Sequence, residues 1–145
     1  MIKVDNEVSL HPVALSDANE MYALVDANRE HLARWLPWAE GLRSAGDERR
    51  WLRQRAGMGA SAAEETFLIH CNGETVGVIG LIYDQFNSGA EVGYWLIEAA
   101  QGHGIVTRAC RTLLGYAFMV RSVHRFQLRA ACDNIRSVAV AERLG

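Results

Sequence analysis

Seven consecutive residues, Gln101 to Thr107 (QGHGIVT), carry the clearest chemical signal in the sequence. Gly102 and Gly104 stand just ahead of a run with the period of an amphipathic helix. The first N–H groups of a helix have no intrahelical partner and carry the positive end of its dipole. Glycines without a Cβ let an anion come close to that backbone. The chemistry on offer is the binding of a phosphate or diphosphate by backbone amides. Two known phosphate motifs are excluded. The dinucleotide fingerprint needs a third glycine where Thr107 stands, and the P-loop needs a Gly-Lys pair, while no lysine follows Lys3. Taken alone, the same seven residues also make a tight strand-to-helix connection that binds nothing, and the turn by itself does not separate the two readings.

The elements around this turn are legible. Glu91 to Ile97 is rich in aromatic and branched residues and reads as a strand. From about Ile105, Val106, Ala109, Cys110, Leu113, Leu114 and Ala117 recur with helical spacing. His103 lies between the two glycines and offers its backbone N–H rather than its ring. Downstream, Asn134 opens a helix with Val138, Ala141 and Leu144 on one face, and it is a good N-cap with Ser137 at the third position. None of the five histidines shares a metal spacing with another histidine or a cysteine, so no metal is expected.

The turn and its surroundings resemble the GNAT superfamily of acetyl-CoA-dependent N-acetyltransferases. That superfamily carries Gln or Arg, two residues, Gly, one residue, then Gly or Ala; here these are Gln101, Gly104 and Val106, with Val106 departing from the strict pattern. The wider match, EVGYWL followed by QGxGIxT, is similar to the RimJ/RimL-like branch, which acetylates the N-termini of ribosomal proteins. Asp133-Asn134-Ile135-Arg136-Ser137 and the segment Trp35-Leu36-Pro37-Trp38 resemble the same branch.

The resemblance implies an α/β fold: a mixed, largely antiparallel sheet with a splayed parallel pair and helices on both faces. The two splayed strands match Glu91–Ile97 and His124–Ala131. Acetyl-CoA would lie between them as cosubstrate, with its pantetheine amides on Trp95 and Leu96 and its thioester carbonyl facing the Leu96 amide. Its diphosphate would lie on the turn from Gln101 through Gly102, His103, Gly104 and Val106 to Thr107. Asn134 would bind the cofactor arm, and Ser137 would protonate the departing thiolate. Trp35 and Trp38 would border the substrate entrance, one of them capping the core and the other touching substrate. Glu91 is the candidate base, acting through water on the incoming ammonium; as a plain strand-end carboxylate it is equally well explained, and the branch can also take its base from strands at the C-terminus. In the family the closing Leu144-Gly145 is followed by Phe and two more strands, so residues 1–145 are expected to be one acetyltransferase domain lacking them. The expected reaction is direct acetyl transfer to a primary amine, a protein N-terminus first, with a small-molecule amine or a non-catalytic CoA-binding module as alternatives.

Bulk properties agree with one ordinary globular domain. The chain has 145 residues, half of them hydrophobic and 22% charged. Charge is uneven: residues 1–100 carry 8 basic and 15 acidic side chains, residues 101–145 carry 7 and 2. The basic third contains the turn, and the acidic remainder suits a cationic amine. No apolar run reaches membrane length and no basic stripe with interleaved aromatics suggests nucleic acid, so neither partner is expected; a homodimer is compatible with the sequence. Cys71, Cys110 and Cys132 form no CxxC and read as reduced thiols of a cytoplasmic protein.

Earlier in the chain, Glu7–Leu15 reads as a strand, Ser16 as the cap of a helix, and Asn28–Trp38 as a helix ending near Pro37. Ser44 and Asp47 hint at the start of an Arg-rich surface helix running to about Met58. Thr66–Cys71 and Thr75–Tyr83 read as a hairpin turned by Asn72-Gly73, with the Glu91 strand third in an antiparallel row.

Overall fold

The computed structural model describes residues 1–34, 36–55, 63–84, 86 and 88–128. Six strands form one sheet in the order of the sequence: β1 (Ile2–Lys3), β2 (Val8–Pro12), β3 (Glu64–Cys71), β4 (Glu74–Asp84), β5 (Gly89–Leu96) and β6 (Arg125–Leu128). The first four pairings are antiparallel and the last, β5 with β6, is parallel. The helices are α1 (Ala18–Ala27), α2 (Arg29–Ala33), α3 (Trp38–Gly41) and α4 (Ala45–Arg55), between β2 and β3, and α5 (Ile105–Arg121), which crosses from β5 to β6. Among the described residues no helix is long and apolar enough to cross a membrane.

The hairpin turns where the Asn-Gly pair directs it. Asn72 and Gly73 take φ of 52° and 83°, the positive pair that a tight two-residue turn needs. The three-strand antiparallel row is as expected, and β1 is an addition, since two residues are too few to show a period. The register between β3 and β4 slips by one residue between Ile69 and His70, which leaves Val76 as an extra residue in β4. Beside it, Gly77 stands against β5 so closely that a Cβ there would lie 2.2 Å from the Trp95 carbonyl oxygen. Only glycine fits at that contact.

Three helix boundaries differ from expectation. Ser16 does not cap a helix; it lies in a single 3-10 turn, Leu15–Asp17, and α1 begins at Ala18. There the Asp17 carboxylate accepts the Ala14 N–H at 2.8 Å, which closes the 3-10 turn ahead of α1. The run from Asn28 breaks after Ala33, and Pro37 precedes α3 instead of ending a helix. Proline lacks the N–H that a helix start leaves unpaired anyway. In α4, Ser44 Oγ accepts the Asp47 N–H and Asp47 accepts the Arg43 N–H, the reciprocal cap that the spacing suggested. However, α4 is more than a surface helix. Leu52 is fully buried and Glu48 is 4% exposed; burial pushes the Glu48 carboxyl up to about 7.

The sheet separates two cores. On one face Leu10, Ile69, Ile79, Val92 and Leu96 pack against Ile105, Ala109, Cys110, Leu113 and Ala117 of α5. On the other, Leu68, Val78 and Trp95 pack against Met21, Val25, Leu32 and Leu52 of the helical layer α1–α4.

A polar clasp fixes the C-terminal half of α5. Glu65 of β3 accepts hydrogen bonds from Arg121 at 2.6 Å, Tyr116 at 2.8 Å and Tyr83 at 3.2 Å. The Arg121 guanidinium lies 3.8 Å from the centre of the Tyr83 ring. Burial first, and then the Glu65 carboxylate, push the Tyr116 hydroxyl up to about 12 and Tyr83 in the same direction, so both remain donors. Removing one partner of so sheltered a pair leaves the other charge buried. Arg121→Ala is expected to cost about 3 kcal/mol of folding stability, read from urea unfolding midpoints. A change within about 0.5 kcal/mol would class the clasp as an ordinary surface ion pair.

Candidate active site

The turn ahead of α5 has the conformation its glycines permit. Gly102 and Gly104 take φ of 82° and 70°, in the left-handed region, and Gly104 is the N-cap of α5. A Cβ on Gly104 would meet nothing within 4 Å, so the space over the turn is open. That space is a cleft of about 380 Å³ lined by Gly102, Gly104, Thr107 and Arg108. Thr107 lies in the first turn of the helix and is 9% exposed. Its Oγ1 is buried and has no hydrogen-bond partner among the described residues. A buried hydroxyl left unpaired costs free energy unless a ligand completes it. Open amides, the helix dipole and an unpaired hydroxyl in one cleft are what a diphosphate requires.

The other turn residues divide. Val106 is buried in the core on the α5 face, so its departure from Gly or Ala does not narrow the cleft. His103 is exposed, and its carbonyl oxygen accepts a hydrogen bond from Arg108 at 3.2 Å. Gln101 turns away from the cleft. Its N–H is bonded to the Glu98 carbonyl at 3.1 Å, and its side-chain amide lies 2.8 Å from His31 Nε2. Asn28 accepts the Glu98 N–H at 3.1 Å nearby, so two bonds tie the start of the turn to the helical layer at α2.

The strand β5 sorts its groups by parity. The Ile97 N–H is bonded to Val76 on the β4 side, and the Trp95 carbonyl presses on Gly77 of β4. Successive residues of a strand turn their backbone groups to opposite edges. Leu96 and Tyr94 therefore turn theirs toward β6, where the described pairing ends at Val92–Leu128. The Trp95 backbone serves the sheet, and its indole lies on the other face, centred 6.3 Å from the ring of Trp38. Trp38 stays 44% exposed at this edge of the helical layer. Glu91 and Gly93 share that face of β5 with Trp95, Gly93 exposed and Glu91 half-buried. Glu91 is four residues from Trp95, about 13 Å along the strand, too far to reach the same point without an intervening water.

Trp35, Asn134, Ser137 and Cys132 lie outside the described residues. Cys110 is fully buried and burial pushes its thiol up to about 12, so it stays protonated and inert. Arg108 is an addition to the expected residues of the cleft, and it was out of reach of the sequence because its partners lie in the β1–β2 turn.

The acetyltransferase (GNAT) domain family matches residues 7–145. The ribosomal-protein-serine acetyltransferase of Escherichia coli (strain K12) is 31% identical over 99% of the chain and 81% of its own length. Among solved structures, RimL, the ribosomal L7/L12 α-N-protein acetyltransferase in complex with coenzyme A, superposes with a TM-score of 0.93 at 27% identity, covering 98% of this chain and 81% of that one. The microcin C7 self-immunity acetyltransferase MccE, in complex with acetyl-CoA and AMP, superposes with a TM-score of 0.92 at 30% identity, covering 99% and 81%.

The open, left-handed Gly104 gives the site its test. Gly104→Val puts a β-branched side chain into the cleft and strains the backbone by about 1–2 kcal/mol. Coenzyme A titrated calorimetrically into the folded variant is expected to bind at least about tenfold more weakly. Unchanged affinity removes the diphosphate from this turn.

Proposed function

The chain belongs to the GNAT acetyltransferase family, and from that premise we propose that it transfers the acetyl group of acetyl-CoA directly to the α-amine of a protein N-terminus. The observation that carries the reading is the open glycine turn at the N-terminus of α5, with the unpaired Thr107 hydroxyl in its cleft. Acetyl-CoA supplies an activated thioester. The amides of the turn and Thr107 Oγ1 hold its diphosphate. Leu96 offers its backbone groups to the pantetheine arm, and its N–H donates to the thioester oxygen as negative charge gathers there. Asn134 holds the same arm.

Glu91 takes a proton from the incoming ammonium through water. Ser137 gives a proton to the departing sulfur and regains one from the nitrogen of the collapsing intermediate, and Glu91 releases its proton to water, so the protein ends each cycle unchanged. No acyl-enzyme is needed, and the buried, protonated Cys110 is unsuited to form one. The exposed Trp38 beside Trp95 offers an aromatic wall to the acceptor. An N-terminal α-amine, with a pKa near ~8 against ~10.4 for lysine, needs only slight help to lose its proton. The names of the ribosomal-protein relatives favour this acceptor. The likeness to the spermidine N(1)-acetyltransferase of Escherichia coli (strain K12), 26% identical over 57% of this chain, supports a second reading, a small-molecule amine.

Thiol release from acetyl-CoA, measured against N-terminal peptides and polyamines, separates the readings. Peptides are expected to be turned over. Release with small amines alone moves the acceptor, and CoA binding without any release makes the protein a non-catalytic module.

Two substitutions test the proton steps. Glu91→Gln is expected to lose most activity near neutral pH. It should recover as pH rises past the amine's own pKa, earlier for a peptide α-amine than for lysine. Superimposable pH–rate profiles for variant and natural chain would remove Glu91 as the base. Ser137→Ala is expected to lower kcat by about 10²-fold while acetyl-CoA affinity stays nearly constant. An unchanged kcat removes Ser137 as the acid.

A further inference from the structure

Arg108 is bound to more of the turn than its place in the cleft requires. Its Nη2 donates to the His103 carbonyl at 3.2 Å and its Nε lies 3.4 Å from the Gly104 carbonyl. Its Nη1 donates to Asp5 Oδ2 at 2.6 Å, and Glu7 lies 3.9 Å from Nη2. Asp5 is itself fixed. Its other oxygen, Oδ1, accepts the N–H groups of Glu7 and Val8, each at 2.8 Å, which winds the β1–β2 turn around the carboxylate. The Val8 amide first, and then Arg108, hold the Asp5 carboxyl below the usual range, so the pair stays charged at every pH relevant to the reaction.

A trans peptide plane points its C=O and N–H in opposite directions. Drawing the His103 carbonyl toward Arg108 therefore turns the Gly104 N–H the other way. The Gly104 carbonyl is drawn to the same side, since it also accepts the Arg108 N–H of the helix, and this turns the Ile105 N–H likewise. Glycines at positive φ on either side of His103 leave these planes little intrinsic preference, so an external hold decides them.

We propose that Arg108, anchored by Asp5, is the positioning residue that aims the amides of the turn at the diphosphate of acetyl-CoA. The inference rests on the acetyl-CoA reading above. Asp5 makes the arrangement specific: it neutralises Arg108 and occupies its Nη1, so the guanidinium at the wall of the cleft is engaged with the protein rather than with a phosphate. If Arg108 were instead a direct phosphate ligand, Asp5 would be its competitor.

The two roles give opposite results for Asp5→Asn. Asparagine keeps an oxygen for the Glu7 and Val8 amides and loses only the ion pair. The readout is the ratio of kcat/KM for acetyl-CoA to that for acetyl-pantetheine, which lacks the diphosphate. Asp5→Asn and Arg108→Gln are both expected to lower this ratio by about tenfold, and the double variant by no more than Arg108→Gln alone. A ratio that is unchanged or raised in Asp5→Asn overturns the proposal, as does an equal loss with both donors. Calorimetric titration with coenzyme A needs no acceptor. A natural chain that binds coenzyme A but acetylates no amine refutes the proposed transfer, while the affinity ratio of coenzyme A to pantetheine in the same variants still decides the role of Arg108.

Discussion

The first N–H groups of helix α5 have no protein partner among the described residues, and much of the structure is arranged around that opening. Unpaired amides cost free energy unless water or a ligand takes them. A helix end left open in this way needs to be held by something other than its own hydrogen bonds. Here the hold is applied from several sides. The apolar face of α5 lies on the sheet through Ile105, Ala109, Cys110 and Leu113. Glu65 binds the far end through Arg121 and Tyr116, and Asp5 binds the near end through Arg108. The polar contacts join α5 to strands from the first half of the chain, so the ligand turn is fixed by residues far from it in sequence.

The central strand divides its labour with equal economy. Odd-numbered residues of β5 give their backbone groups to β4 and their side chains to the face that carries the helical layer. Even-numbered residues give their backbone groups to β6 and their side chains to α5. One strand can thereby serve a cofactor along its edge and an acceptor across its face without either competing for the same atoms. Gly77 makes the arrangement possible, because only a residue without a Cβ allows β4 to come so close to the Trp95 carbonyl.

What the sequence disclosed follows from the range of the interactions. The glycine turn, the period of α5 and the Asn72-Gly73 hairpin rest on residues within a few positions of one another, and all three stand as read. The shift of the helix start from Ser16 to Ala18 comes with the 3-10 turn that Asp17 closes on the Ala14 N–H, which the spacing of a cap residue does not reveal. Pro37 was taken as a stop because proline ends helices as readily as it begins them. Trp95 was assigned to the cofactor by resemblance, yet the pairing with β4 determines where its backbone points. The Asp5–Arg108 pair spans 103 positions, and no local pattern links an acidic β1–β2 turn to a basic helix start.

The order of the strands also bears on how the chain reaches this state. Within the β3–β4–β5 meander, β4 pairs with β3 and β5 with β4, and both contacts close short loops. Joining β2 to β3 requires the chain to close over the whole helical layer, and joining β6 to β5 requires α5 to be laid down first. Local closures are fast and long ones slow. The meander is thus the natural nucleus of folding, and the cleft at α5, which depends on both long closures, is among the last features to form. Synthesis from the N-terminus reinforces that order, since the turn and α5 leave the ribosome after every strand of the meander. A ligand that binds only the completed cleft then stabilises the latest step of folding, and its effect on the chain's lifetime would exceed its effect on the meander itself.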